Sequence, residues 1–263
     1  MAYKTILTVA TDAARAAPVI GAAGALAIAQ NGHLDILALG IDRTQIGYSY
    51  VGAGSVLLQV AIDRAEADAR EIEAAAKKAV GAQPDALRWS SEAAVAQLGG
   101  LSDLMALRAR FADLVVMPRP YGTGRGPEDE AIIEAALFEG RAPVLILPEP
   151  LRDTAPEGRR ILLAWDQSAE ALTAARRAMP FLARADLVSI TVIDPPAHGP
   201  ERSDPGGLLC QMLVRHGVRA EVSVLARTLP RVSDVILRQV RDIDADLVVM
   251  GAYGHSRLRE AIL

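Results

Sequence analysis

The sequence predicts an α/β protein built from two parallel-sheet domains in tandem, and three observations carry that expectation. Ala112-Asp113-Leu114-Val115-Val116-Met117 recurs letter for letter as Ala245-Asp246-Leu247-Val248-Val249-Met250. A second pair of similar runs, Lys4–Val9 and Arg159–Ala164, stands well upstream of each copy. Short apolar runs alternate with helix-period stretches throughout, as in right-handed βαβ units. A repeat this long exceeds solenoid periods, so whole domains are duplicated. Pro148–Gly158 is rich in proline and charge and reads as the linker, giving domains 1–150 and 159–263.

The elements follow in order. Thr5–Ala10 and Leu34–Ile41 are apolar runs of strand length, as buried parallel strands require. Leu58, Ile62, Ala65, Ala69, Ile72, Ala76 and Ala79 step by four and three, with charged residues between them. That spacing makes one amphipathic helix, supported by Glu66–Arg70 and Glu73–Lys77 pairs. Strands at Ala86–Ser90 and Asp113–Met117, a helix at Asp129–Phe138 and a strand at Val144–Leu147 complete the first half. The second half offers strands at Ile161–Trp165, Leu187–Ile193, Val218–Ala226 and Asp246–Met250. A helix begins near Ala169, and Val232, Val235, Ile236 and Val240 mark another. Val218–Ala226 alternates apolar and polar residues, which suits an edge strand. The first half is the longer, and its extra residues fall around the second helix.

Composition excludes several function classes. With 51% apolar and 23% charged residues the chain is globular. Lys and Arg number 28 against 32 Asp and Glu, and aromatics are 4%. Neither a basic nucleic-acid face nor a stacking platform is expected. The single cysteine, Cys210, forms no internal disulfide and points to a reducing compartment. Ala16–Leu34 and Thr44–Ile62 are uncharged and about long enough to span a bilayer. Both are broken by polar residues, and Asp12 with a strand-like run precedes the first. A cytoplasmic protein without a membrane segment is expected.

In open parallel sheets ligands bind beyond the carboxyl ends of the strands, where strand order reverses. The second half's first strand ends Ala164-Trp165-Asp166-Gln167-Ser168, and its fourth ends Met250-Gly251-Ala252-Tyr253-Gly254-His255-Ser256. Two glycines at this spacing let backbone N–H groups face a phosphate, and a following helix would add its positive end. Taken together, the Asp-x-Ser strand end and ADLVVMGxxGHS resemble the universal stress protein family over nearly the whole chain, as two tandem copies.

The resemblance implies Rossmann-like domains of the adenine nucleotide alpha hydrolase type, each a five-stranded parallel sheet in order 3-2-1-4-5. Nucleotide-binding members carry G-x2-G-x9-G-[ST]. Gly251 and Gly254 match its first glycines, and His255–Leu263 fills the x9 segment, where the sequence stops. Carried over, Asp166 with Ala164 and Trp165 lies at the adenosine end, and Val192 offers backbone groups to the adenine edge. Met250, Gly251, Gly254, His255 and Ser256 line the phosphates. The expected ligand is ATP, AMP or ADP, with Mg as its companion ion, and no catalytic residue or protein metal cage is expected. Compared with the first half, the second ends early after its fourth strand. The natural chain is therefore expected to continue with a glycine, a Ser or Thr, a helix and a fifth strand, unless a partner chain covers the edge.

The first half departs from the pattern. Thr11 stands where Asp166 does, and Pro118-Arg119-Pro120-Tyr121 replaces Gly251-Ala252-Tyr253-Gly254. Two prolines remove donors that a phosphate cradle uses. Gly122-Thr123-Gly124-Arg125-Gly126 lacks the lysine and hydroxyl of a P-loop and reads as a surface loop. This nucleotide loop is expected to be degenerate.

Simpler roles stand beside these. Asp166 suits a helix N-cap, the glycines suit a turn, and His255 suits a solvated helix start. His33, His198 and His216 have no metal-ligand spacing, and Cys210 sits in an apolar helical run. No nucleophile–base pair emerges. The leading expectation is a nucleotide-binding stress-response sensor or regulator, a pseudo-dimer of its two domains or a homodimer. The alternatives are a nucleotide-independent scaffold and a nucleotide-cleaving enzyme on the same framework.

Overall fold

A computed structural model describes residues 2–43, 54–151, 154, 156–195, 198 and 203–252. The chain divides into two compact units, Ala2–Ala155 and Pro156–Leu263.

In the first unit β1 (Thr5–Ala10), β2 (His33–Asp42), β3 (Arg88–Gln97), β4 (Leu114–Pro118) and β5 (Val144–Leu147) form one parallel sheet, ordered β3-β2-β1-β4-β5. Order reverses between β1 and β4, as two outward and two return crossovers require. Side chains alternate across the strands. Gly40 of β2 faces α2 (Gly54–Val80), because a Cβ there would meet the Ala65 carbonyl and the Ala69 methyl. The odd-numbered set, Leu37, Leu39 and Ile41, joins Leu7, Val9 and Met117 under α3 (Leu101–Ala109) and α4 (Pro127–Glu134). α1 (Ala13–Ala29) packs beside α2, burying Ala16, Val19, Ile20, Ala23, Leu26 and Ala27. It tolerates Pro18 in its second turn.

The strand expected at Ala86–Ser90 instead runs Arg88–Gln97. Its residues Ser90-Ser91-Glu92 pair with Asp35-Ile36-Leu37, so the ladder, not an apolar pattern, fixes this edge strand. The expected helix Asp129–Phe138 is split: α4 ends at Glu134 and a wider π-turn, Ala135–Glu139, continues it.

The second unit repeats the plan with β6 (Arg160–Ala164), β7 (Leu187–Ile193), β8 (Ala220–Leu225) and β9 (Leu247–Val249) in order β8-β7-β6-β9. All pairs are parallel. α5 (Ala169–Arg177) and α6 (Met179–Leu182) follow β6, α7 (Gly207–Arg215) follows β7, and α8 (Val232–Asp242) precedes β9. The edge strand β8 is half exposed, with Val224 in solvent. Where the first unit has the 27-residue α2, the second has the 9-residue α7.

The letter-for-letter repeat has a structural reason. The Asp113 carboxylate accepts the Lys4 and Thr5 amides at 2.7 and 3.0 Å, and Asp246 accepts those of Arg159 and Arg160 at 2.9 and 3.0 Å. Each aspartate ties the start of its unit's first strand to the start of the fourth. Charge-assisted bonds of this kind contribute about 1.5–3 kcal/mol when shielded and less at an exposed position. No helix among the described residues is long and apolar enough to cross a membrane.

Candidate functional site

In the second unit the loop after β6 turns sharply into α5. Trp165 donates its amide to the Thr191 carbonyl at 2.9 Å, which prolongs the ladder by one residue. Asp166 is exposed, and its Oδ1 accepts the Ser168 amide at 3.0 Å. Ser168, not Asp166, caps α5, accepting the Ala171 amide on Oγ at 3.1 Å. Between them Gln167 adopts φ 66°. A side chain held in this left-handed region costs of order 1 kcal/mol or more and marks a turn fixed by its surroundings.

Gly251 follows β9 and abuts the first turn of α5. A Cβ there would lie 2.7 Å from the Ala171 nitrogen and 2.9 Å from the Glu170 carbonyl carbon. Met250 precedes it, half-buried. β6 and β9 are neighbours, so Ala164, Trp165, Asp166, Met250 and Gly251 meet at one end of the sheet with the N-terminus of α5. Trp165 is 8% exposed, and its indole N–H has no acceptor among the described residues.

Val192 is buried in β7, its side chain against the start of α7 at Gly206. Peptide groups alternate sides along a parallel strand. Thr191 offers its carbonyl toward β6 and Asp194 its amide toward β8, so the Val192 peptide groups face β8. Those turned toward the crevice belong to Ile193, a distinction the sequence motif does not carry. Gly254, His255 and Ser256 lie outside the described residues.

The corresponding crevice of the first unit is filled by its own side chains. The Arg125 side chain is 6% exposed, with Nη1 3.8 Å from Asp129 Oδ1 and Nη2 3.4 Å from Glu149 Oε1. Thr11 donates its hydroxyl to Asp129 Oδ1 at 3.5 Å, and Asp129 Oδ2 accepts the Gly126 amide at 2.9 Å. Asp12 caps α1 through the Ala14 amide and takes Arg15 Nε, each at 2.8 Å. The free space left is about 20 Å³, room for about one water molecule. The buried atoms Arg15 Nη1 and Arg125 Nε have no acceptor among the described residues.

Two carboxylates of the first unit are held in their ionised form by their neighbours. Burial works against the Asp12 anion, but the Ala14 amide and Arg15 outweigh it and lower its pKa below the ordinary 3.8. Glu128 behaves likewise: burial opposes it, while Arg43 and its own amide lower it below 4.5. A lowered folded pKa gives stability that is complete above the unfolded value and lost as pH falls through the folded one. Melting temperature is therefore expected to decline as pH drops below 4.5, with Glu128→Gln declining less steeply. Equal slopes for variant and wild type would count against these carboxylates.

Elsewhere, Cys210 is half-buried, with Sγ 3.6 Å from the Ala220 carbonyl; burial and then Asp204 raise its pKa, so the thiol is unreactive. His216 ends α7. No group of three or more His, Cys, Asp or Glu suited to a metal occurs among the described residues.

Residues 158–263 match the sequence model of the Universal stress protein family. No curated protein matches the chain. Among solved structures, a universal stress protein from Archaeoglobus fulgidus DSM 4304 superposes with a TM-score of 0.60 at 14% identity, covering 93% of this chain and 85% of that one. Universal stress protein UspA from Lactobacillus plantarum gives 0.39 at 18%, covering 56% of this chain and 98% of its own. A universal stress protein in complex with cAMP gives 0.32 at 21%, with the same coverages. Only the first bears on the fold of the whole chain, and at 14% identity it bears on the fold alone.

Proposed function

We propose, on the premise that residues 158–263 form a universal stress protein domain, that the second unit binds an adenine nucleotide and that the protein is a stress-response sensor or regulator. The convergence of the β6 loop, the α5 N-terminus and Gly251 at one sheet end carries the reading. A helix N-terminus favours an anion, and Gly251 keeps that approach unobstructed. The Trp165 N–H, without an acceptor among the described residues, supplies a donor for a bound acceptor, and strain at Gln167 fits a loop shaped for contact. These features fit the phosphate and ribose of a nucleotide; ATP, with Mg on its phosphates, is the proposed form. Such a ligand supplies binding energy to one conformation of the unit, and this chain's residues orient it. Asp166 holds the ribose end, Ile193 rather than Val192 turns its backbone groups to the base, and Gly251 with Gly254, His255 and Ser256 border the phosphates.

The first unit is proposed to be a second copy of the domain without a nucleotide. Arg125, Asp129, Thr11 and Glu149 occupy its crevice, and 20 Å³ admits no phosphate chain. The test of the site is Asp166→Ala. Losing one charged-group hydrogen bond costs about 1.5–3 kcal/mol, so ATP affinity should fall roughly ten- to hundred-fold by calorimetry, with the melting temperature little changed. Unaltered affinity would favour a nucleotide-independent interaction protein.

A further inference from the structure

The first unit carries a second recess, at the amino-terminal ends of its strands and so remote from the crevice. Its free volume is about 340 Å³, within the size of small-molecule sites, about 300–1,000 Å³. The buried Leu7 and Leu37 make its floor. Phe111, after the end of α3, forms its lip and is 74% exposed. Its ring is therefore accessible to a ligand seated in the recess. On one wall the Asp35 carboxylate accepts the Ser90 hydroxyl at 2.6 Å and stands 3.5 Å from His33 Nε2. The other wall is the Arg108–Glu92 ion pair, which ties α3 to β3.

Of the charged side chains lining the recess, Arg108 and Glu92 cancel each other, which leaves the Asp35 carboxylate. An apolar floor, an exposed π face and one carboxylate complement a single kind of ligand. The ring face attracts a cation, the carboxylate pairs with it, and the leucines take its apolar body. We infer that this recess binds a small organic cation, an ammonium group carried on an aromatic or aliphatic body. An anion would meet Asp35 and Glu92, and a neutral polar molecule would leave Phe111 without a partner. The inference is independent of the nucleotide site.

The test is calorimetric titration of the full chain with 2-phenylethylammonium and with its uncharged counterpart 2-phenylethanol. The ammonium should bind at least about tenfold more tightly, the worth of one charged contact. Asp35→Asn should bring the ammonium down to the alcohol, and Phe111→Ala should weaken both, each variant melting near wild type. Equal affinity of the two probes for the wild-type protein would overturn the inference without any variant. So would ammonium binding indifferent to Asp35→Asn, or no binding up to about 10 mM.

Discussion

Gly251→Val should both abolish measurable ATP binding and loosen the second unit. A Cβ at this position meets the Ala171 nitrogen at 2.7 Å and the Glu170 carbonyl carbon at 2.9 Å, and both are backbone atoms that no rotamer change can move aside. Either the segment after β9 or the first turn of α5 must shift. Overpacking of this kind costs about 1–3 kcal/mol. The same shift separates Gly251 from the helix N-terminus and from Asp166, the three parts of the proposed site. Affinity should fall by more than about a hundredfold, beyond what a single lost hydrogen bond explains. Melting curves and titrations on one preparation separate the two effects. A variant that melts and binds like wild type would show that Gly251 neither packs against α5 nor borders a ligand.

Gly40→Ala should have the largest effect on stability. The added methyl would lie 1.9 Å from the Ala65 carbonyl oxygen and 3.1 Å from the Ala69 Cβ. β2 is a central strand and α2 its principal cover, so neither retreats without opening the core. The cost should reach or exceed about 3 kcal/mol, the upper end of overpacking, and the first unit should melt earlier. Gly99→Ala, with nothing among the described residues within 4 Å of the new methyl, is the matched control and should be nearly neutral. Chemical denaturation of both variants tests the pair. Equal midpoints would mean that α2 does not lie against β2 as described.

How much of this was legible in the sequence depended on the physical signal each feature leaves. Leu187–Ile193 is a strand with the limits its apolar run suggests because it packs inside a covered sheet, and Val144–Leu147 keeps its limits at the sheet edge by burying Leu145 and Leu147. β3 was misplaced because Ser90, Ser91 and Glu92 lie at a half-solvated edge, where pairing rather than burial holds the chain. Strand order followed from the family resemblance alone, whereas the π-turn at Ala135–Glu139 leaves no pattern of its own. Of the candidate site, Asp166 and Gly251 were legible through their places after strands. The N-cap role that suits Asp166 by sequence belongs instead to Ser168, two residues on. The contacts of Arg125 were hidden, since Thr11, Asp129 and Glu149 come from three separate segments. Close approach at Gly40 was equally silent, because a glycine in a strand looks the same whether or not a helix presses on it.

The central claim is an asymmetry: two units of one plan, with nucleotide in the second alone. Calorimetric titration of the intact protein with ATP tests it most directly. The account predicts a stoichiometry of about one per chain, lost in Gly251→Val and untouched by Arg125→Gln in the first unit. A stoichiometry of two, or binding that survives Gly251→Val and disappears with Arg125→Gln, would contradict it.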